Sequence, residues 1–219
     1  MLRIILLKYI LFVSGFLLIV LTGCSDPAGT VNTPNYPAIK VLSGKIQGWT
    51  YGVDKVAQFS GGFNNQAYIF GSSPIDSAGN FSITLTDPPD SILLAFPSDR
   101  LEFCTYKFNP ANPAVKELKA NINVLRGSQL VGIIHYGNMD PNNIPNRFTE
   151  IYRYFDSDFV MTGQRVCGDS LSREVLNYNF NGSKGWNALF VRGEGSESAP
   201  ASLSSGNRPP DGFWMILFF

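Results

Sequence analysis

DSAGNFSITL, residues 76–85, reads as a tight turn running into a strand. The Asp76 carboxylate can accept a hydrogen bond from the backbone two residues on, and Gly79 is free to take positive φ. Phe81, Ile83 and Leu85 then recur at every second position, the period of a strand with one buried face. The same signature continues outward in both directions. Apolar or alternating runs of strand length cover 41–49, 53–60, 66–71, 91–96 and 101–108, then 121–126, 130–136, 149–156, 159–167, 173–180, 186–192 and 213–218. Turn residues separate them: Tyr51-Gly52, Gly61-Gly62, Asp87-Pro88-Pro89 and Asn181-Gly182. Helical periodicity is weak everywhere. Short strands at this spacing predict an all-β protein of antiparallel β-sandwich type, in one or two modules.

Composition agrees, with 13% aromatic and 16% charged residues, 21 Gly and 14 Pro. The segment FNPANPAV (108–115) is rich in Pro and Asn and suits a linker or a long crossover. As a linker it divides the body into a sandwich module at 39–108 and a second at 116–219. As a loop it leaves a single larger sandwich. With Leu42-Ser43-Gly44-Lys45-Ile46 upstream, the Asp76–Phe81 pattern resembles the "G-x-V … D-x-x-G-x-F" layout of transthyretin-like and carboxypeptidase-regulatory-like sandwich modules. The resemblance touches the first module only. A calcium loop from Asp76, Asn80 and Asp87 lacks the required spacing of oxygen ligands.

The chain opens with Arg3 and Lys8, an apolar segment from Tyr9 to Leu21 and then small residues, the pattern of an export signal. The apolar run falls short of the roughly 20 residues that span a bilayer, although an uncleaved anchor helix is the alternative. Leu21-Thr22-Gly23-Cys24 resembles the lipobox of bacterial lipoproteins. That resemblance implies a signal peptide at 1–23, with Leu21, Thr22 and Gly23 recognised by the signal peptidase. It also implies diacylglyceryl transfer to the Cys24 thiol and further acylation of the amine that cleavage frees. Two or three acyl chains hold a protein on a membrane where one does not. Residues 24–38 (CSDPAGTVNTPNYPA) show no apolar periodicity and read as a lipidated, flexible tether. Ser25 occupies the place where some bacteria put an inner-membrane retention aspartate, so the expected location is the cell envelope, outer membrane rather than inner.

The sequence lacks the signatures of most catalytic and nucleic-acid-binding chemistries. With 17 basic and 17 acidic residues, removal of Arg3 and Lys8 leaves 15 against 17, a net charge of −2 and no basic footprint for nucleic acid. His135 is the single histidine and lies in a strand-like run. There is no G-x-S-x-G elbow, no P-loop, no dinucleotide fingerprint and no metal-ligand spacing, so no cofactor and no metal are expected. Carboxylates for a glycosidase exist at Glu102, Glu117, Asp140, Glu150, Asp156 and Asp158. Cys104 and Cys167 form an even pair once Cys24 is committed to lipid, and read as a disulfide or as two buried thiols. Lys184-Gly185-Trp186-Asn187 resembles a strand opening in uncharacterised bacterial envelope lipoproteins. The final run, 213–219, is apolar on both faces and reads as a central strand, reached by a surface excursion through 194–210. The expected function is a membrane-anchored envelope lipoprotein, not an enzyme, that binds or scaffolds an envelope protein or a glycan. The alternative is a small carbohydrate-active hydrolase or a glycan-binding protein at the cell surface. Cys24→Ser is expected to abolish labelling by a fatty-acid analogue; a variant still processed and still partitioning into detergent contradicts the lipobox reading.

Overall fold

The Asp76 turn forms as its residues dictate. Asp76 Oδ1 accepts from the backbone N–H groups of Ala78 and Asn80, both at 2.8 Å, and Oδ2 accepts from Asn80 Nδ2 at 2.7 Å. The Asn80 side-chain bond, then its backbone N–H, hold the carboxyl below the usual carboxylate range. Gly79 sits at φ +85°, and a Cβ there would lie 2.6 Å from the Trp49 Cβ. The computed structural model describes residues 36–98, 100–111, 113–138, 147–168 and 173–219, all within one compact unit, Pro34–Phe219. The protein is all-β. The turn leads into β4 (Asn80–Thr84), which pairs with β1 (Val41–Lys45) as a separate two-stranded sheet with Phe81 and Ile83 facing inward.

The second sheet has twelve strands and is built around β7 (Lys116–Arg126). One edge of β7 pairs with β2 (Val56–Phe63) from Ser60↔Asn121 to Val56↔Leu125, and with the two-residue β5 (Leu94–Ala95) at 116–117. The other edge pairs with β8 (Gln129–Asn138) along its C-terminal half and with β9 (Phe148–Phe155) along its N-terminal half. Beyond β2 lies β3 (Gln66–Pro74); beyond β8 lies β14 (Phe213–Phe218). From β9 the sheet runs through β12 (Gly185–Arg192), β13 (Ala201–Ser204), β11 (Glu174–Gly182) and β10 (Phe159–Cys167) to β6 (Cys104–Asn109). The pairings are antiparallel except β11 with β13. A 3-10 turn at Asp90–Ile92 precedes β5.

Two cores result, one on each face of the central strands. Leu118, Ala120, Ile122 and Val124 of β7 enter the first, with Phe59, Tyr152, Trp186 and Trp214 and the inward residues of β1 and β4. The second contains Phe155, Met161, Tyr178, Phe180, Leu189 and Leu203 around Phe96. Phe96 alone meets five rings, at 5.6–6.5 Å between centroids. The remainder of the Pro- and Asn-rich stretch, 110–115, therefore connects β6, at one end of the sheet, to β7 in its middle. Strands from both sides of the expected module boundary share one sheet and one core.

Two expectations for the C-terminal region are corrected. The excursion 194–210 contains β13, which pairs with both β11 and β12 and buries Ala201 and Leu203. The final strand β14 is not central. Among the described residues it pairs with β8, with one further bridge between Ile46 and Trp214. Trp214 is buried and Ile216 packs against the first core, while Phe213 and Leu217 on the other face, and Phe218 at the end of the inward row, stay 40–49% exposed. Because Leu203 is fully buried, Leu203→Ala is expected to destabilise by about 3 kcal/mol, read as a lowered midpoint in urea unfolding; an unchanged midpoint would return 194–210 to the surface.

Candidate functional site

Leu21, Thr22, Gly23 and Cys24 lie outside the described residues. Cys104 and Cys167 are joined as a disulfide. They face each other in register on the adjacent strands β6 and β10 of one sheet rather than across two sheets. The bond closes a sequence separation of 63 residues, which removes about 4 kcal/mol of chain entropy from the unfolded state.

His135 projects from β8 on the face opposite Ile134 and Tyr136, in register with Met215. Partial burial pushes its pKa down. The neutral imidazole is therefore the form that favours the fold, and this contribution is complete above about pH 6.5 and is lost as the pH falls from there.

Among the described residues the two buried carboxylates do not converge. Glu117 is fully buried, 2.6 Å from Arg153 Nη1, and accepts the Ser98 N–H at 2.6 Å. Glu150 is 2% exposed and accepts two hydrogen bonds from Arg208, both 2.8 Å. Glu150 has the parity of Tyr152 and Tyr154, which enter the first core, whereas Arg153 and its partner Glu117 have the parity of Phe155, in the second. The two buried acids thus occupy opposite faces of the sheet. Asp156 accepts the Lys116 N–H at 2.9 Å, and Asp158 accepts the Lys184 N–H at 2.6 Å. Glu102 lies exposed in the turn before β6, and Asp140 is outside the described residues. No group of three His, Cys, Asp or Glu residues comes together among the described residues.

The Arg208 cluster was not anticipated from sequence. Its guanidinium lies 4.7 Å from the Tyr136 ring centroid and 4.8 Å from that of Trp214 while it forks onto Glu150. The Tyr136 hydroxyl donates to the Pro209 carbonyl at 2.6 Å, which fastens the same loop a second time. Burial, followed by the Glu150 charge, raises the Tyr152 phenol well above its ordinary pKa. A signal existed in Glu150, an acid on the inward row Phe148, Glu150, Tyr152, Tyr154. Arg208, in a Gly- and Pro-rich loop, offered none.

A polar groove forms where strand pairing is interrupted on one edge of β7. The β2 ladder stops at Ser60↔Asn121, and β5 takes up the edge only at Leu94↔Glu117. Between them Gly61 packs against the Lys119 main chain, and a Cβ there would strike the Lys119 carbonyl oxygen. The groove encloses about 440 Å³ and is lined by Lys119, Asn121 and Asn123 of β7, Ser60 of β2, and Asn65 and Gln66 of the β2–β3 hairpin. Asn123 Nδ2 donates to Ser60 Oγ at 2.8 Å, and the Tyr68 hydroxyl donates to Gln66 Oε1 at 3.2 Å. Asn64 and Asn65 turn the hairpin at φ +49° and +63°, left-handed values that asparagine tolerates. A second depression, of about 410 Å³, lies on the β6, β10 and β11 face and includes Lys107, Arg173 and Glu197. There Arg173 is engaged by Glu197 at 2.8 Å.

No protein-family model, curated protein or solved structure matches the chain.

Removing Arg208 leaves a carboxylate in the first core without its cation. Arg208→Met is expected to cost about 3 kcal/mol, and Glu150→Met added to it to recover a large part of the loss. A double-mutant cycle by urea unfolding measures the coupling; additive single effects would mean that the pair does not act as a unit.

Proposed function

We propose that this chain is a lipid-anchored protein of the bacterial cell envelope whose β-body binds or scaffolds and does not catalyse. The observation that carries the anchoring is the order of the first residues: two cations, a short apolar run, then Leu21-Thr22-Gly23-Cys24 and a Pro- and Asn-rich tether. The absence of an acidic residue at position 25 favours the outer membrane over the inner.

The non-catalytic reading draws support from how the acids are used. General acid–base work on a glycosidic bond needs two carboxylates facing one open cleft, about 5–9.5 Å apart. Glu117 and Glu150 are instead buried on opposite faces and held by arginines. Asp156 and Asp158 accept backbone N–H groups at strand ends. A rigid sheet with an open polar face suits recognition, because its side chains are already placed before a ligand arrives. Among the described residues the hydrolase alternative has no comparable constellation behind it.

Envelope fractionation of bacteria producing the full chain tests the proposal. The protein is expected with the membranes, resistant to salt and alkaline washing and released by detergent, and without turnover of chromogenic glycosides. Release by salt alone overturns the anchor; turnover that Glu117→Gln or Glu150→Gln abolishes overturns the non-catalytic role.

A further inference from the structure

We infer that the groove between β2 and β7 is a saccharide-binding site. This deepens the proposed non-catalytic binding role and rests on it. The first argument is chemical. Asn65, Gln66, Asn121 and Asn123 each carry a donor and an acceptor, and Ser60 adds a hydroxyl. Sugar hydroxyls are also donor and acceptor at once, so neighbouring hydroxyls pair with side-chain amides without any transfer of charge. Among the described residues the groove is lined by no carboxylate, histidine or cysteine and by one ammonium, that of Lys119. Such a lining can hold a sugar but offers no acid or base to cleave one.

The second argument is geometric. Asn121 and Asn123 stand two residues apart on one strand, so their amides repeat at about 6.8 Å along the same face. That row runs along an extended ligand rather than closing around a compact one. The volume of about 440 Å³ falls within the range of small-molecule sites. Gly61 and Gly62 line the groove without side chains, and nothing lies nearer than 3.9 Å to a Cβ built at Gly62, so a ligand can approach the backbone there.

The third argument is rigidity. Asn123 lies where β7 is paired on both edges, with Gln58 of β2 and Ile133 of β8, and its amide is fixed by its bond to Ser60, itself 7% exposed. A polar group held in this way loses little freedom on binding. The depression beside β6 and β10 contrasts with this site, because its Arg173 and Glu197 already satisfy each other.

The test uses the full lipidated chain in detergent micelles and a panel of neutral and uronate-containing oligosaccharides, with affinities from titration calorimetry. Asn121 and Gln66 are exposed, so Asn121→Ala and Gln66→Ala are expected to leave the melting temperature unchanged. Each is expected to weaken saccharide binding about fivefold, the worth of one hydrogen bond, and the double variant more than either. Lys107→Ala, in the other depression, is expected to bind as the wild type does. The inference is overturned if no saccharide binds the wild type, if binding survives the double variant, or if Lys107→Ala weakens it equally. Membrane association without saccharide binding removes this inference and leaves the proposed function standing; hydrolysis of the bound saccharide removes the non-catalytic reading and leaves the groove as its site.

Discussion

Both cores and the groove depend on one constraint, the double-sided use of β7. Its sequence, KELKANINVLR, alternates so that Leu118, Ala120, Ile122 and Val124 are buried together on one face. A slip of one residue in pairing would send lysine and asparagine inward and four apolar side chains out, so the register is fixed by burial alone. The other face changes character along the strand. Glu117 is sealed into the second core, Lys119 is half-covered, and Asn121 is open to solvent. One strand therefore belongs to the interior at its start and to the surface at its middle. Four different strands share its edges for that reason.

The two buried acids play the same part on opposite faces. A carboxylate taken out of water is costly, and pairing it with arginine offsets the cost without adding much net stability. What each pair contributes is position. Glu117 holds Arg153 and also the Ser98 N–H, which pins the segment that carries Phe96 into the middle of the second core. Glu150 holds Arg208, and with the Tyr136–Pro209 bond it fixes the otherwise aperiodic residues that lead into β14. The chain comes so close there that a Cβ at Gly212 would lie 2.6 Å from both Phe148 and Tyr136. Loops with no apolar pattern of their own are thus placed by acids on strands that have one.

This division of labour explains which parts of the fold were legible in the sequence. The alternating runs were found because burial on one face writes period two into the residues; Phe81 and Ile83 lie where their spacing put them. The first half of β7 was missed because a buried ion pair uses the same letters as a solvated surface, and KELKA reads as polar. ASLS, residues 201–204, was too short and too small-sided to register, although Leu203 is fully buried. In 213–219 the opposite error arose, since apolar residues on both faces suggested two-sided cover that an edge strand does not receive. The Pro- and Asn-rich segment 108–115 was read as a linker or crossover, but its first two residues end β6, and composition does not say whether the strands on either side share a sheet. Cys104 and Cys167 were legible as an even pair, and their adjacency on neighbouring strands was not. The groove had no signature at all, because Asn121 and Asn123 look like any outward row. Only the place where β2 stops pairing with β7 turns them into a site.

An apolar edge strand such as β14 is a template for unwanted pairing unless something covers it. Here the cover comes from the segment between β1 and β2. The Gln47 N–H donates to the Trp214 carbonyl at 2.8 Å, and the Tyr51 ring rests on Phe218 with centroids 4.3 Å apart. Past the Ile46 bridge and the Gln47 bond to β14, that segment is held by hydrogen bonds from its own side chains. Trp49 Nε1 donates to the Gly52 carbonyl at 3.0 Å. Lys55, at 2% exposure an unusual residue to find inside, donates to the Tyr51 carbonyl and to Asp54, with Trp49 beneath its ammonium. A buried lysine makes sense in this setting. It satisfies the carbonyl that the turn leaves over, and it holds Tyr51 where the edge of the last strand needs a lid. The C-terminal strand is thus blunted by a loop that precedes it by more than a hundred residues in the chain, and the polar clamp on that loop belongs to the same scheme as the acids that anchor Arg153 and Arg208.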